Sequence, residues 1–131
     1  GRWRPYIQEF LADGLATSPR TDIMAVPGGV EPLTLVDLIP KDFNFFRRRI
    51  EGLVAAHGTR RIICIGHQDC AWYAARKIGP ITINLQDRQL KDLRRAAAWI
   101  RETFPNLRVE TYFARRLAVA GEPEKVVFEA V

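Results

Sequence analysis

The stretch RIICIGHQDCAWY, residues 61–73, constrains the fold more than any other part of the chain. Its apolar run, residues 62–65, predicts a strand that is covered on both faces of a sheet. His67 follows this strand, and Cys70 comes where we expect the next helix to begin. Because ligands of α/β sheets bind beyond the carboxyl ends of the strands, the stretch predicts a site at these two residues.

The other apolar patterns predict the elements around this strand. Helices are predicted over residues 5–14, 42–57, 69–77 and 86–103. Strands are predicted over residues 22–26, 62–65, 107–113 and the terminal KVVFEAV, which we expect to form a hairpin with 107–113. This order favours one domain over residues 1–131, with an α/β fold and a mostly parallel central sheet flanked by helices.

Composition narrows the class of protein. The 131 residues are 47% hydrophobic and 27% charged, as in a globular domain. We expect a cytoplasmic protein, because the sequence shows no membrane-length apolar run and no export leader, and two cysteines are too few for a disulfide framework. The net charge of +5 comes from scattered arginine doublets and one triplet. We therefore expect solvated basic faces, with no nucleic-acid or membrane partner.

His67 and Cys70 bear chemistry that suits zinc. A neutral imidazole and a thiolate are both zinc ligands, and the amides of a starting helix favour the thiolate. Zinc takes about four partners, so on these two residues alone a capped helix with a buried cysteine and a loop histidine is the favoured alternative. In that alternative Asp69 caps the helix. Cys64, inside the strand, is expected in the core, and His57 is expected at a helix end because of the helix dipole.

The stretch RRIICIGHQDCAWYAA resembles the second metal-binding segment of the β-class carbonic anhydrases, in which a strand ending in Gly-His-x-x-Cys gives a histidine and a cysteine to zinc. Other elements of that family are similar, in chain order, to DIMAVPGGV, to IEGLVAAHGTRR and to the stretch from QLKDL to YFA. The resemblance implies a β-carbonic-anhydrase-like fold and Zn²⁺ bound by His67 and Cys70. It also implies a lyase that hydrates CO₂ to bicarbonate through zinc-bound hydroxide, and a homodimer or multiple of dimers.

The family's other motif, Cys-x-Asp-x-Arg, is matched only at its tail, by Gly1-Arg2. This match implies that Arg2 has a catalytic, orienting role and that a cysteine and an aspartate lie upstream of Gly1 on a central strand. The family's Arg-Asn-Ala-Gly is Ala-Val-Pro-Gly here, residues 25–28, and its glycine after the second cysteine is Ala71. Two alternatives therefore remain: an enzyme for a related small molecule such as COS or CS₂, and a catalytically inactive domain of this fold.

Aromatic and glycine residues carry further expectations. The resemblance also implies that Gly28 and Gly29 permit close approach of the backbone to the site. Trp3, Tyr6 and Phe10 form either a dimer interface or a core stripe on the first helix, and Trp72 either lines the pocket or packs in the core.

Overall fold

The computed structural model describes residues 2–17, 20–35, 37–75 and 84–131. The helices are α1 (Arg4–Glu9), which continues as a π-helix over Phe10–Gly14, a 3₁₀ helix over Glu31–Thr34, α2 (Pro40–His57), α3 (Ala71–Ala75) and α4 (Leu85–Thr103). The strands are β1 (Arg61–His67), β2 (Arg108–Leu117) and β3 (Lys125–Ala130). The mixed α/β architecture that the sequence predicts is therefore confirmed. None of the helices in the described ranges is both long and apolar enough to cross a bilayer.

The sheet has the strand order β1-β2-β3. β1 runs parallel to β2, and His67 lies opposite Ala114. β3 runs antiparallel to β2, which confirms the expected hairpin. The prediction of a mostly parallel sheet is wrong for the described strands, because the connection at residues 118–124 is too short for a crossover and β3 can only return antiparallel.

The strand predicted over residues 22–26 is not formed, and the backbone there is irregular. An extended apolar run becomes a strand only when another strand pairs with it, and the described sheet holds β1, β2 and β3 alone. Ile23 and Met24 are instead 55% and 39% exposed. The segment is tied to the end of α2, where His57 Nδ1 lies 2.7 Å from Asp22 Oδ2.

Helices cover both faces of the sheet. One face packs on α2 and α4, and the buried residues there are Phe46, Ile50, Cys64, Leu93, Ala97, Ile100, Val109 and Phe113. On the other face, Phe10 stacks on Phe128 with ring centroids 4.0 Å apart and meets Tyr112 edge-on. Phe10 therefore packs within its own chain, whereas Tyr6 is 40% exposed.

The helix boundaries follow local chemistry. α2 ends at Gly58, whose φ of 61° is the left-handed conformation that glycine adopts most readily. Asn84 caps the start of α4, and its side chain accepts hydrogen bonds from two backbone amides of the first turn. The helix predicted over residues 69–77 begins at Ala71, and its predicted end lies outside the described residues.

Candidate metal site

His67 is the last residue of β1, and the turn that follows it is anchored to β2. The amide of Gln68 donates to the carbonyl of Ala114 at 2.9 Å. The side-chain oxygen of Gln68 accepts from the amide of Arg116 at 3.1 Å. Main chain and side chain therefore both fix the turn against the neighbouring strand.

Cys70 lies at the far end of the same turn. Its carbonyl accepts from the amide of Ala74 at 3.0 Å, so it begins the first turn of α3. Asp69 has a φ of 54° and pairs with Arg116. The capping role predicted for Asp69 is therefore wrong, because its carboxylate faces β2. His67 and Cys70 therefore stand at the two ends of the turn that follows β1.

The imidazole of His67 is held in one tautomer. Its Nδ1 lies 2.9 Å from the carbonyl oxygen of Gln68, which can only accept, so Nδ1 carries the proton. In the neutral ring the lone pair is then on Nε2, which is the usual arrangement in a metal-binding histidine. The indole of Trp3 stacks on the ring at 5.2 Å between centroids and with planes at 29°.

The two cysteines differ in access. Cys70 is half-buried at the turn, whereas Cys64 is 3% exposed within β1. Cys64 packs in the apolar core, as the sequence predicts, and this burial raises the pKa of its thiol to about 11. Cys70 is therefore the more exposed of the two cysteines.

The donors fit part of a zinc site. An imidazole nitrogen and a thiolate are suitable zinc ligands and would fill two of about four positions. Within residues 2–17, 20–35, 37–75 and 84–131, no cluster of three or more His, Cys, Asp or Glu side chains is arranged to hold a metal ion. A third protein ligand would therefore have to come from outside these ranges or from a second chain.

The glycine loop lies beside this end of β1. A Cβ atom on Gly29 would lie 3.9 Å from the carbonyl oxygen of Ile65. Gly28 has a φ of 77°, and a Cβ there would lie 2.5 Å from Cδ1 of Trp72. The close approach expected at Gly28 is therefore made by the indole of Trp72. Trp72 thus packs against the loop but is 37% exposed, so it is not a residue of the core.

Buried polar side chains behind α3 are the feature that sequence reasoning missed. Tyr73 donates to Oδ2 of Asp92 at 2.8 Å, and both residues are buried. Burial raises the pKa of Tyr73, with the hydrogen bond to Asp92 as the next cause. Burial also raises the pKa of Asp92. The sequence indicates these buried polar groups only by placing Gln89 and Asp92 on the otherwise apolar buried face of α4.

Arg2 is exposed and lies just before α1. Its neighbour Trp3 is 8% exposed and stacks on His67, so the chain passes the site at this point. Trp3 thus packs within its own chain, as expected if it belongs to the core stripe and not to a dimer interface.

Comparison of the chain with protein-family models, with curated proteins and with solved structures finds no match. The geometry of the His67–Cys70 turn is therefore the main basis for a functional conclusion.

Proposed function

We propose that this chain is a zinc-dependent lyase that resembles the β-class carbonic anhydrases and hydrates CO₂ to bicarbonate. One observation carries the proposal. At the carboxyl end of β1, His67 keeps Nε2 available by donating Nδ1–H to Gln68, and an accessible Cys70 lies on the same turn. Imidazole nitrogen and thiolate are both zinc ligands, and ligands of α/β sheets bind at this edge, which supports the proposal.

Each residue has a role in this proposal. His67 Nε2 and Cys70 Sγ hold the zinc, and Trp3 shields one face of the imidazole from water. When bound, zinc supplies a Lewis acid that lowers the pKa of a coordinated water towards about 7. Arg2 orients the acidic partner that the family resemblance implies, and it does so from outside the zinc ligands.

The finer description of the fold belongs to the same proposal. β1 is at the edge of the described sheet, and the family resemblance implies a further, central strand that carries the Cys-x-Asp part of the other motif. We infer that another strand, from outside the described residues, lies parallel to β1 and carries the third protein ligand. A β-carbonic-anhydrase-like sheet and a homodimer follow from this inference. A cytoplasmic setting also belongs to it, because a reducing compartment keeps thiols free of disulfides.

Two alternatives keep specific support. The family pattern is replaced at residues 25–28 and at the pair Ala71-Trp72. Gly28 contacts Trp72 near the candidate site, so these changes would alter the wall of the pocket. An altered pocket favours a different small substrate such as COS or CS₂. The presence of just two donors within the described ranges favours a catalytically inactive domain.

The decisive experiment is a stopped-flow CO₂ hydration assay on the intact protein, with COS and CS₂ as parallel substrates and zinc content measured on the same sample. We expect about one zinc per chain and CO₂ turnover. Full zinc with turnover of COS or CS₂ alone would support the related enzyme, and full zinc without any turnover would support the inactive domain. Protein without zinc would contradict all forms of the proposed zinc enzyme.

Variants separate the proposed roles. His67→Ala should lose both zinc and turnover, because it removes a ligand. Arg2→Ala should keep zinc but lower turnover, because Arg2 acts on a neighbouring group and not on the metal. Arg4→Ala is the matched control, since Arg4 is an exposed arginine two positions away, and it should change neither quantity. Equal turnover in the Arg2 and Arg4 variants would remove Arg2 from the mechanism.

A further inference from the structure

Glu31 is 1% exposed, which is unusual for a charged side chain. Its Oε2 accepts from Nε1 of Trp72 at 2.5 Å, and its Oε1 lies 3.6 Å from Nη2 of Arg88. We call Glu31, Trp72 and Arg88 the Glu31 cluster. The cluster joins three elements, the 3₁₀ helix, α3 and α4, immediately behind the turn that carries His67 and Cys70.

Joining three elements through a buried carboxylate carries an unfavourable desolvation free energy. Removing its charge from water costs several kcal/mol, and well-packed apolar side chains would hold the same elements without that cost. A hydrogen bond differs from an apolar contact in that it fixes direction. Here the fixed group is the indole of Trp72, two residues after Cys70.

α3 depends on such contacts for its position. In proteins most of the stability of a helix comes from its tertiary contacts and not from its own propensity. Trp72 ties α3 to Glu31, and Tyr73 ties it to Asp92 on α4. The guanidinium of Arg88, 5.9 Å from the centre of the Tyr73 ring, lies between the two ties. The first turn of α3, and with it Cys70, is therefore held from two sides.

The loop before Glu31 is shaped for the same contact. A Cβ on Gly28 would lie 2.5 Å from Cδ1 of Trp72 and 3.2 Å from Oε2 of Glu31. Only a residue without a side chain lets the loop close over the indole and the carboxylate together.

We propose that Glu31 and Trp72 are positioning residues for Cys70: their hydrogen bond holds the first turn of α3 so that the thiol lies beside His67 before a metal binds. Side chains that orient metal ligands typically contribute 10–100-fold to metal affinity. The inference rests on the proposed zinc site for its purpose, but the positioning is a property of the metal-free chain and can be measured there.

The metal test uses Zn²⁺ affinity by competition with a chromophoric chelator, and the absorption spectrum of the Co²⁺-loaded protein, which reports cysteine coordination. We expect Glu31→Ala to weaken Zn²⁺ binding by about 10–100-fold and to alter the Co²⁺ spectrum. Glu31→Gln keeps an oxygen that accepts from Trp72 and should stay within about threefold of wild type. Trp72→Phe removes the donor but keeps a ring, and should behave like Glu31→Ala with a smaller effect.

The control for general destabilisation is Thr111→Val. Thr111 is also buried, and its hydroxyl donates to the carbonyl of Val131 at 2.7 Å, far along the chain from α3. This variant should lose stability but keep the Zn²⁺ affinity and the Co²⁺ spectrum. If Glu31→Ala fails to fold, Trp72→Phe decides the question, and wild-type affinity and spectrum in that variant would overturn the proposal.

The second test needs no metal. In the metal-free protein we expect Glu31→Ala and Trp72→Phe to change the alkylation rate of Cys70 by at least about threefold, while Thr111→Val leaves it unchanged. If wild-type protein binds no zinc, the proposed function fails, but altered alkylation would still support the positioning role. If zinc binds equally well in all variants and the alkylation rates are equal, the positioning role fails and the proposed function stands.

Discussion

The surroundings of Cys64 and Cys70 differ in kind, although the two residues are close in sequence. Cys64 lies in an apolar core among side chains such as Leu93 and Phe113. Cys70 is followed by Trp72 and Tyr73, which donate hydrogen bonds to the carboxylates of Glu31 and Asp92. We call these four side chains the polar wall. Apolar packing makes a thiol inert by removing water and raising its pKa, whereas polar contacts fix a helix turn and leave its thiol accessible.

The largest expected effect is on thiol reactivity. Raising the pKa of Cys64 from 9.0 to about 11 lowers its thiolate fraction about 100-fold relative to an ordinary thiol at neutral pH. Burial slows its reaction further, so in native metal-free protein we expect Cys70 to react with iodoacetamide at least about 100-fold faster. Mass spectrometry of the labelled peptides measures both rates. Comparable rates would mean that the core and the turn do not differ in the way described.

The next effect tests how tightly the polar wall is packed. Gly28→Ala puts a methyl group 2.5 Å from Trp72 at a left-handed φ of 77°, and we expect it to lower the free energy of unfolding by about 2–3 kcal/mol. Gly52→Ala is the matched control, because it lies within α2 with no atom inside 4 Å, and it should raise stability by about 0.5–1 kcal/mol. Urea denaturation compares them. A neutral Gly28→Ala would show that the loop and the indole are loosely packed.

A third effect depends on pH. Above pH 10 tyrosine ionises in the unfolded chain, but Tyr73 stays protonated in the fold because burial and Asp92 raise its pKa. Unfolding then releases a proton, so the free energy of unfolding falls as pH rises above 10, by up to about 1.4 kcal/mol per pH unit from this residue. Tyr73→Phe should make the alkaline decline of stability less steep, and Tyr6→Phe, at a 40% exposed position, should not. An unchanged decline in the Tyr73 variant would refute the buried hydrogen bond.

The smallest effect concerns the outer side of the turn. Arg116 pairs with Asp69 and Glu124, but all three side chains are partly or largely exposed. Solvent and salt screen such pairs, so Arg116→Ala should cost less than about 1 kcal/mol in unfolding free energy, and less still in 1 M salt. A loss of more than about 2 kcal/mol in unfolding free energy would show that ion pairs, and not the polar wall, hold the turn.

Much of the fold could be predicted because its elements have strong patterns. β1 is a continuous apolar run and α4 has a regular apolar stripe, and both form where expected. The segment 22–26 has a similar apolar composition but no strand beside it in the described sheet, which a local pattern cannot reveal. Strand formation is a tertiary event, so composition alone is a weak guide there.

The candidate site was predictable only in part. His67 and Cys70 follow from a strand end and a short spacing, both of which are local. Glu31 and Trp72 are 41 positions apart in sequence, so nothing local signals their hydrogen bond. The nearest clue is Asp92, a charged residue on the apolar face of α4, since a carboxylate in such a place needs a buried donor.

The central claim is that a zinc ion is bound at the turn between β1 and α3. The most direct measurement is the zinc content of the intact protein after purification without chelators or oxidants, for wild type, Cys70→Ser and Cys64→Ala. About one zinc per chain in wild type and Cys64→Ala, with none retained in Cys70→Ser, is the predicted result. Full zinc occupancy in Cys70→Ser, or no zinc in wild type, would contradict it.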